Sequence, residues 1–152
     1  MPVILLAEDN PADVYLIREA LHEHGVECAV RVASDGKEVL EIISEQDSPA
    51  DAEPFGLIIL DLNLPRHDGI EILQRMRAIA RMAHVPVVVL TSSDSPQDRL
   101  VAIRLGARRY LRKPSSLDQF LALGATFKEL LESSEQSTNR PRAKANGVSN
   151  ED

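Results

Sequence analysis

The stretch "VILLAEDNPAD" (residues 3–13) joins an apolar run to two adjacent carboxylates and then to a helix start. Its first five residues are apolar on both faces, which is typical of a strand covered by helices on each side of a parallel sheet. Glu8 and Asp9 stand at the carboxyl end of this predicted strand. Asn10 and Pro11 supply an N-cap and a proline at the first helical position. The stretch therefore predicts a strand, a charged turn and a helix.

The same alternation recurs five times along the chain. The predicted strands are Val3–Ala7, Cys28–Val32, Leu57–Leu60, Pro86–Leu90 and Arg109–Leu111. Helical patterns separate them, with start signals at Ser95-Pro96 and Ser116 and stop signals at Gly25 and Gly106. Five strand-helix units of this kind predict an α/β protein with a doubly wound, five-stranded parallel sheet.

Composition restricts the class of protein further. The chain has 152 residues and 43% hydrophobic residues, enough for one domain with a real core. No apolar run approaches the roughly 20 residues that span a bilayer, and the N-terminus lacks a secretory signal. A single cysteine, Cys28, suits a reducing compartment, so we expect a cytoplasmic protein without membrane contact. Residues 1–61 hold three basic and fourteen acidic side chains, which argues against a nucleic-acid partner.

The pattern also predicts where the folded domain ends. We expect a domain over residues 1–132 and a polar tail over 133–152, which has too few large apolar residues to offset its ordering entropy and should be disordered. Within the domain, Glu45–Pro54 reads as a polar loop.

The charged residues should meet at one edge of the sheet. In doubly wound sheets, ligands bind at the carboxyl ends of the strands. Asp61 ends the third predicted strand just as Glu8 and Asp9 end the first, so three carboxylates converge if these strands are neighbours. Three like charges repel one another unless a cation neutralises them, and a hard divalent cation such as Mg²⁺ prefers oxygen ligands.

Two other strand ends carry groups that suit a phosphate. Thr91 and Ser92 follow the fourth strand and offer hydroxyl and N–H donors, and Lys113 follows the fifth and offers a cation. A carboxylate nucleophile, a metal, a hydroxyl and a lysine together predict a phosphoryl-transfer site.

These motifs resemble the receiver domain of two-component response regulators. The resemblance rests on "ED" at 8–9, "DLNLPRHDG" at 61–69, "TS" at 91–92 and "KP" at 113–114, and it covers about residues 1–132. More finely, the chain is similar to stand-alone, single-domain regulators that serve phytochrome-like sensor kinases. The resemblance implies a flavodoxin-like sheet with strand order 2-1-3-4-5.

The resemblance implies a role for each matching residue. Asp61 would accept a phosphoryl group from a sensor histidine kinase or phosphotransfer protein in a magnesium-dependent reaction. The implied metal ligands are Glu8, Asp9, Asp61 and Asn63, and the implied phosphate-binding residues are Asn63, Thr91, Ser92 and Lys113. Thr91 and Tyr110 would form a conformational switch, and Lys113-Pro114 a cis peptide bond. The protein would catalyse only its own phosphorylation and dephosphorylation and signal through protein contacts.

Two other functions are compatible with parts of the pattern. A magnesium phosphatase of the haloacid dehalogenase type would use an aspartate nucleophile, but it needs a second acid two residues later, where this chain has Asn63. A phosphorylation-independent interaction module on the same fold would be expected to lose Asp61, Lys113 or one of the acidic pair. Tyr110 could likewise be an ordinary strand aromatic with no switching role.

The last predicted helix suggests a surface for self-association. Its apolar residues spread over about half the circumference, more than one sheet face requires. They are Leu117, Phe120, Leu121, Leu123, Phe127, Leu130 and Leu131. We therefore predict a homodimer through helix 5 and strand 5, in which Arg108, Arg109 and Arg112 pair with Glu129 or Glu132 of the second copy.

Overall fold

Residues 1–47 and 53–138 are described in a computed structural model of the chain. They form five strands and five helices, with one short 3₁₀ helix, Ala80–Met82, before the fourth strand. In chain order the main elements are β1 Val3–Ala7, α1 Pro11–Glu23, β2 Ala29–Ala33, α2 Gly36–Glu45, β3 Leu57–Leu60, α3 Gly69–Ala78, β4 Val87–Thr91, α4 Pro96–Arg104, β5 Arg109–Arg112 and α5 Leu117–Thr138. Within the described ranges, no helix is both long and apolar enough to cross a membrane.

The strands form one parallel sheet with the order β2-β1-β3-β4-β5. This order confirms the predicted fold class. The register aligns the carboxyl ends of the two central strands, because Ala7 of β1 lies opposite Leu60 of β3. The residues that follow, Glu8 and Asp61, therefore leave the sheet side by side.

Alternate residues of each central strand face opposite cores. Leu5 of β1 belongs to the cluster under α2, α3 and α4, whereas Leu6 belongs to the cluster under α1 and α5. Phe127 of α5 is fully buried in the second cluster. Burial of a side chain of this size stabilises a fold by roughly 1.5–3 kcal/mol. This two-sided burial explains why β1, β3 and β4 are apolar at consecutive positions.

Local signals set several helix ends as predicted. The Asn10 side chain accepts a hydrogen bond from the Ala12 N–H at 2.9 Å, and the Ser95 hydroxyl accepts one from the Asp98 N–H at 3.2 Å. Gly25 and Gly106 follow α1 and α4 with φ of +70° and +92°. This left-handed conformation is nearly free of strain for glycine and ends the helix.

Helix α5 differs from the prediction at both its surface and its end. Four of the seven apolar positions are buried, Leu121 and Leu123 are half-buried, and only Leu117 is largely exposed, at 58%. The helix continues to Thr138. Residues 133–138 are therefore helical, whereas the sequence predicts disorder for them. Extending a formed helix costs little for residues such as Glu and Gln. The remainder of the predicted tail, 139–152, lies outside the described residues, and the domain division at 132 stays a prediction.

Three smaller differences concern the backbone. β2 and β4 begin and end one residue later than predicted, and β5 extends to Arg112, since ladder hydrogen bonds rather than apolar character define the ends. The Lys113-Pro114 bond is trans, not cis as the resemblance implied. The two isomers of an X-Pro bond differ by only about 1 kcal/mol, so sequence alone does not select one. Residues 48–52 of the predicted polar loop lie outside the described ranges.

Candidate functional site

The ends of four neighbouring strands bring the predicted site residues together. Glu8 and Asp9 follow β1, Asp61 follows β3, Thr91 closes β4, and Lys113 follows β5. The parallel register places these ends at one edge of the sheet. The convergence that the sequence predicted is therefore present in the structure.

Lys113 is the centre of this site. Its Nζ lies 2.8 Å from Asp61 Oδ2, 2.8 Å from Asp13 Oδ2 and 2.9 Å from Glu8 Oε1. The Glu8 and Asp61 side chains are only 1% and 4% exposed, and those of Lys113 and Asp13 are 14% and 17% exposed. An ammonium group has three N–H donors, so the three carboxylates saturate it.

Asp13 is the member of this group that the sequence analysis missed. It lies in the first turn of α1, where an acidic residue is ordinarily explained by the helix dipole. A local pattern could not reveal a contact with a lysine one hundred positions away. The only available signal was that α1 begins directly at the site, so its first turn faces the same edge of the sheet.

The site raises the pKa of both Glu8 and Lys113, which favours the neutral form of the acid and the charged form of the lysine. Burial raises the pKa of Glu8 to about 7, although hydrogen bonds from Lys113 and from the Asn10 N–H act in the other direction. For Lys113, burial alone would lower the pKa, but the hydrogen bonds to Asp13, Asp61 and Glu8 outweigh it and raise the pKa. Lys113 is therefore charged at neutral pH, whereas Glu8 exchanges its proton there.

Three carboxylates at the site could hold a cation. One oxygen from each of Glu8, Asp9 and Asp61 lies within 4.8 Å of the others, with Asp9 exposed and the other two buried. The donor set is entirely oxygen and anionic, which fits a hard divalent cation such as Mg²⁺ or Mn²⁺. Asp61 is further oriented by the Asn63 N–H, which donates to its Oδ1 at 3.0 Å.

The predicted phosphate-binding residues adjoin this cluster. Thr91 is fully buried, and its Oγ1 accepts hydrogen bonds from Asn63 Nδ2 at 3.2 Å and from the Ser93 N–H at 3.3 Å. Ser92 is exposed beside it. Asn63 thus links the two residues, because its backbone N–H donates to Asp61 and its side-chain amide donates to Thr91.

Tyr110 is connected to Thr91 through a third residue, Ser93. The ring is buried, and its hydroxyl donates to the Ser93 carbonyl at 3.4 Å rather than to Thr91. The Arg99 guanidinium carbon lies 5.8 Å from the ring centroid, within the range of a cation–π contact. Tyr110 is therefore joined to Thr91 through Ser93, whose N–H contacts the threonine and whose carbonyl contacts the tyrosine.

Two basic residues of β5 pair with acidic residues of the same chain. Arg109 contacts Glu129 at 3.3 Å and Arg112 contacts Asp94 at 3.6 Å, all four largely exposed. The sequence predicts that Arg108, Arg109 and Arg112 pair with Glu129 or Glu132 of a second copy, whereas in the structure Arg109 pairs with Glu129 of its own chain. Both residues face solvent from adjacent elements, so the contact adds little to stability.

A groove at the amino ends of β4 and β5 lies away from the carboxylates. Arg77 lines it and donates hydrogen bonds to the carbonyls of Met82, Ala83, Val85, Leu105 and Gly106, at 2.9 to 3.1 Å. These carbonyls belong to the turns that follow α3 and α4, where helices leave acceptors unpaired. Arg77 therefore joins two turns, and these carbonyls account for the position of its charge in the groove.

Comparison with known sequences identifies a family. Residues 4–123 match the profile of the response regulator receiver domain. Response regulator Rcp1 of Synechocystis sp. is 34% identical over 115 residues, which are 76% of this chain and 78% of Rcp1. Two other curated relatives are longer, and the chain spans 42% and 48% of their lengths.

Solved structures give the same result. The phosphorylated cyanobacterial phytochrome response regulator RcpA is similar with a TM-score of 0.77 and 34% identity, over 88% of this chain and 95% of that one. The Mn²⁺-bound form of Rcp1 is similar with a TM-score of 0.76 and 30% identity, over 85% of this chain and 93% of that one.

Proposed function

Because this chain belongs to the response regulator receiver domain family, whose members receive a phosphoryl group from histidine kinases, we propose that it is a phosphoacceptor switch phosphorylated on Asp61. The likeness to RcpA and Rcp1 supports a finer proposal, that it acts as a single-domain regulator for a phytochrome-like sensor kinase. A cytoplasmic location stays a prediction from the sequence.

One observation carries the proposal. Asp61 is a buried carboxylate that contacts Lys113 and lies beside the carboxylates of Glu8 and Asp9. A carboxylate in this position has a cation on one side and a potential metal site on the other. Phosphoryl transfer depends on such positioning and charge neutralisation rather than on proton relay.

The reaction can be described from the residues present. An Asp61 carboxylate oxygen attacks the phosphorus of a phosphohistidine, a P–O bond forms, and the P–N bond breaks with its electron pair returning to the imidazole. The product is an acyl phosphate on Asp61. Lys113 and the Thr91 hydroxyl would hold the phosphoryl oxygens, with Asn63 and the Ser92 N–H beside them.

Glu8, Asp9, Asp61 and the Asn63 carbonyl would hold the divalent cation, which we propose to be Mg²⁺. When bound, it supplies positive charge that offsets the repulsion between the carboxylates and the incoming phosphoryl group. Hydrolysis at the same site would make the chain catalyse its own dephosphorylation.

The experiment is phosphorylation of purified protein by acetyl phosphate with Mg²⁺, measured by intact mass. Wild type should gain one phosphoryl group and Asp61→Asn none. Asp118→Asn is the matched control, since it removes an exposed acid from the first turn of α5. Full labelling of Asp61→Asn at another residue would refute the assignment, and labelling without Mg²⁺ would refute the metal requirement.

We also propose that the protein self-associates through α5 and β5. The supporting surface is smaller than the sequence suggested, because Leu117 is the only one of the seven large apolar residues of α5 that is strongly exposed. Leu100 and Ile103 of α4 are exposed as well, at 51% and 44%. Apolar residues of this size at a soluble surface are common marks of contact when they are contiguous.

Sedimentation velocity across a concentration series tests self-association. Leu117→Asp should weaken a dimer without disturbing the fold, whereas a substitution at fully buried Phe127 would unfold α5 and test nothing about the surface. Tyr15→Asp, at an equally exposed apolar residue of α1, is the control. A wild-type protein that stays monomeric with and without beryllofluoride would contradict the proposal.

A further inference from the structure

Asp13 contacts Lys113 but is not one of the three grouped carboxylates that could hold a metal ion. Its Oδ2 accepts a hydrogen bond from Lys113 Nζ at 2.8 Å, and its side chain is 17% exposed. The oxygens that could share a cation belong to Glu8, Asp9 and Asp61. Asp13 therefore interacts with the site through Lys113.

The Asn10-Pro11 helix start fixes Asp13 in this position. Asn10 caps α1 and Pro11 occupies its first turn, so the backbone of residue 13 is held by the helix. Asp13 cannot move away with a flexible loop when Lys113 changes partners. It is a fixed acceptor, whereas the other two acceptors of Lys113 have further roles in the proposed reaction.

The ammonium group of Lys113 has no spare donor in this structure. Its three N–H groups match three carboxylates at 2.8–2.9 Å. A phosphoryl oxygen that binds Lys113 must replace one of these acceptors or share a donor with it. Glu8 and Asp61 are the acceptors that a cation and the phosphoryl group would engage, which leaves Asp13 as the competitor.

Distance makes this competition significant. Asp13 Oδ2 and Asp61 Oδ2 are at most about 5.6 Å apart, twice the 2.8 Å that separates each from Nζ. A negative charge so close draws the ammonium toward α1 and away from the phosphoryl position. At this separation Coulomb's law gives roughly a threefold effect on anion binding at the dielectric constant of water, and a larger effect where the site is partly buried.

We propose that Asp13 is a positioning residue that holds Lys113 against α1. It thereby weakens the interaction between Lys113 and a phosphoryl group on Asp61. This inference rests on the proposed function, because it assumes that the phosphoryl group forms on Asp61. Asp13 thus influences the affinity of the site for the phosphoryl group, and it does so through its contact with Lys113.

The test measures the affinity of beryllofluoride, a phosphoryl mimic, by isothermal titration calorimetry with saturating Mg²⁺. Asp13→Asn should bind roughly three to ten times more tightly than wild type, since an amide competes poorly for an ammonium. Asp13→Glu keeps the charge and should bind within about twofold of wild type. Glu19→Gln removes an acid from the same helix that is not among the three carboxylates paired with Lys113, and it should leave the affinity unchanged.

A Lys113→Ala background separates positioning from general charge effects. There, adding Asp13→Asn should change the affinity by less than about twofold, because the residue through which Asp13 acts is gone. Equal affinity of wild type and Asp13→Asn would overturn the inference alone, as would the same gain in both backgrounds. No beryllofluoride binding by wild type would overturn the proposed function as well. Circular dichroism confirms that each variant is folded.

Discussion

Replacing Lys113 by alanine should destabilise the metal-free protein far more than the loss of a surface lysine would. The side chain is 14% exposed and neutralises three carboxylates at 2.8–2.9 Å. Its removal leaves Glu8 and Asp61 buried without a cation. Breaking a buried ion pair by deleting one partner costs about 3–5 kcal/mol, because the remaining charge stays desolvated.

The structure allows this figure to be refined with pH. By Coulomb's law, each contact at 2.8 Å would contribute roughly 6 kcal/mol at an effective dielectric constant of about 20, and desolvation offsets most of it. Glu8, with its pKa of about 7, can take up a proton and relieve part of the repulsion. Without Lys113 its pKa would be higher still. We therefore expect a loss of about 3 kcal/mol at pH 6 and about 4 kcal/mol at pH 8, since one group with a pKa of about 7 changes the difference by at most about 1.4 kcal/mol over this interval.

Magnesium should restore much of this stability. A ligand at one hundred times its Kd stabilises the folded state by about 2.7 kcal/mol, and the variant has no lysine to compete with the cation for Glu8 and Asp61. The assay is urea denaturation followed by circular dichroism at both pH values, in EDTA and in excess Mg²⁺. Lys128→Ala, at an exposed lysine of α5, is the control.

Two results would refute this reasoning. If Lys113→Ala were as stable as wild type in EDTA at pH 8, the three carboxylates would not depend on the ammonium. If Mg²⁺ stabilised the variant no more than it stabilises Lys128→Ala, then Lys113 would not compete with the cation for these carboxylates.

Three other predictions concern single residues. Gly124→Ala should cost about 1–3 kcal/mol of unfolding free energy, because an added Cβ would overlap the Ala20 carbonyl where α5 crosses α1, and chemical denaturation measures the loss. Glu8 should contribute stability that is fully present below pH 4.5 and lost as pH rises through about 7, by roughly 3 kcal/mol in EDTA, and Glu8→Gln should remove this part of the pH dependence. Arg77→Met should cost about 2–4 kcal/mol of unfolding free energy, because five carbonyls lose their donor. The control, Arg75→Met at an exposed position, should cost under about 1 kcal/mol. Thermal unfolding measures both variants, and equal losses would show that Arg77 has no structural role.

Sequence alone predicted the strand-helix alternation and most of the site. Apolar runs without alternation identify strands with helices on both faces, and Asn10, Ser95, Gly25 and Gly106 mark helix ends through interactions within a few residues. Such signals are local, so they can be read without coordinates. The motifs at the strand ends then predicted the edge where Asp61 and Lys113 meet, because parallel strands bring their carboxyl ends together.

Tertiary structure decided which of these groups contact one another. Lys113 binds Asp13 as well as Asp61, and Arg109 pairs with Glu129 of its own chain, although neither pair has a local signature. The sequence shows that apolar residues cover about half the circumference of α5. Packing against the sheet and α1 determines that, of its large apolar residues, only Leu117 is mostly exposed. Contacts over one hundred positions depend on the register of the sheet and the angles between helices. Those quantities arise from the whole core at once, so no single stretch of the chain encodes them.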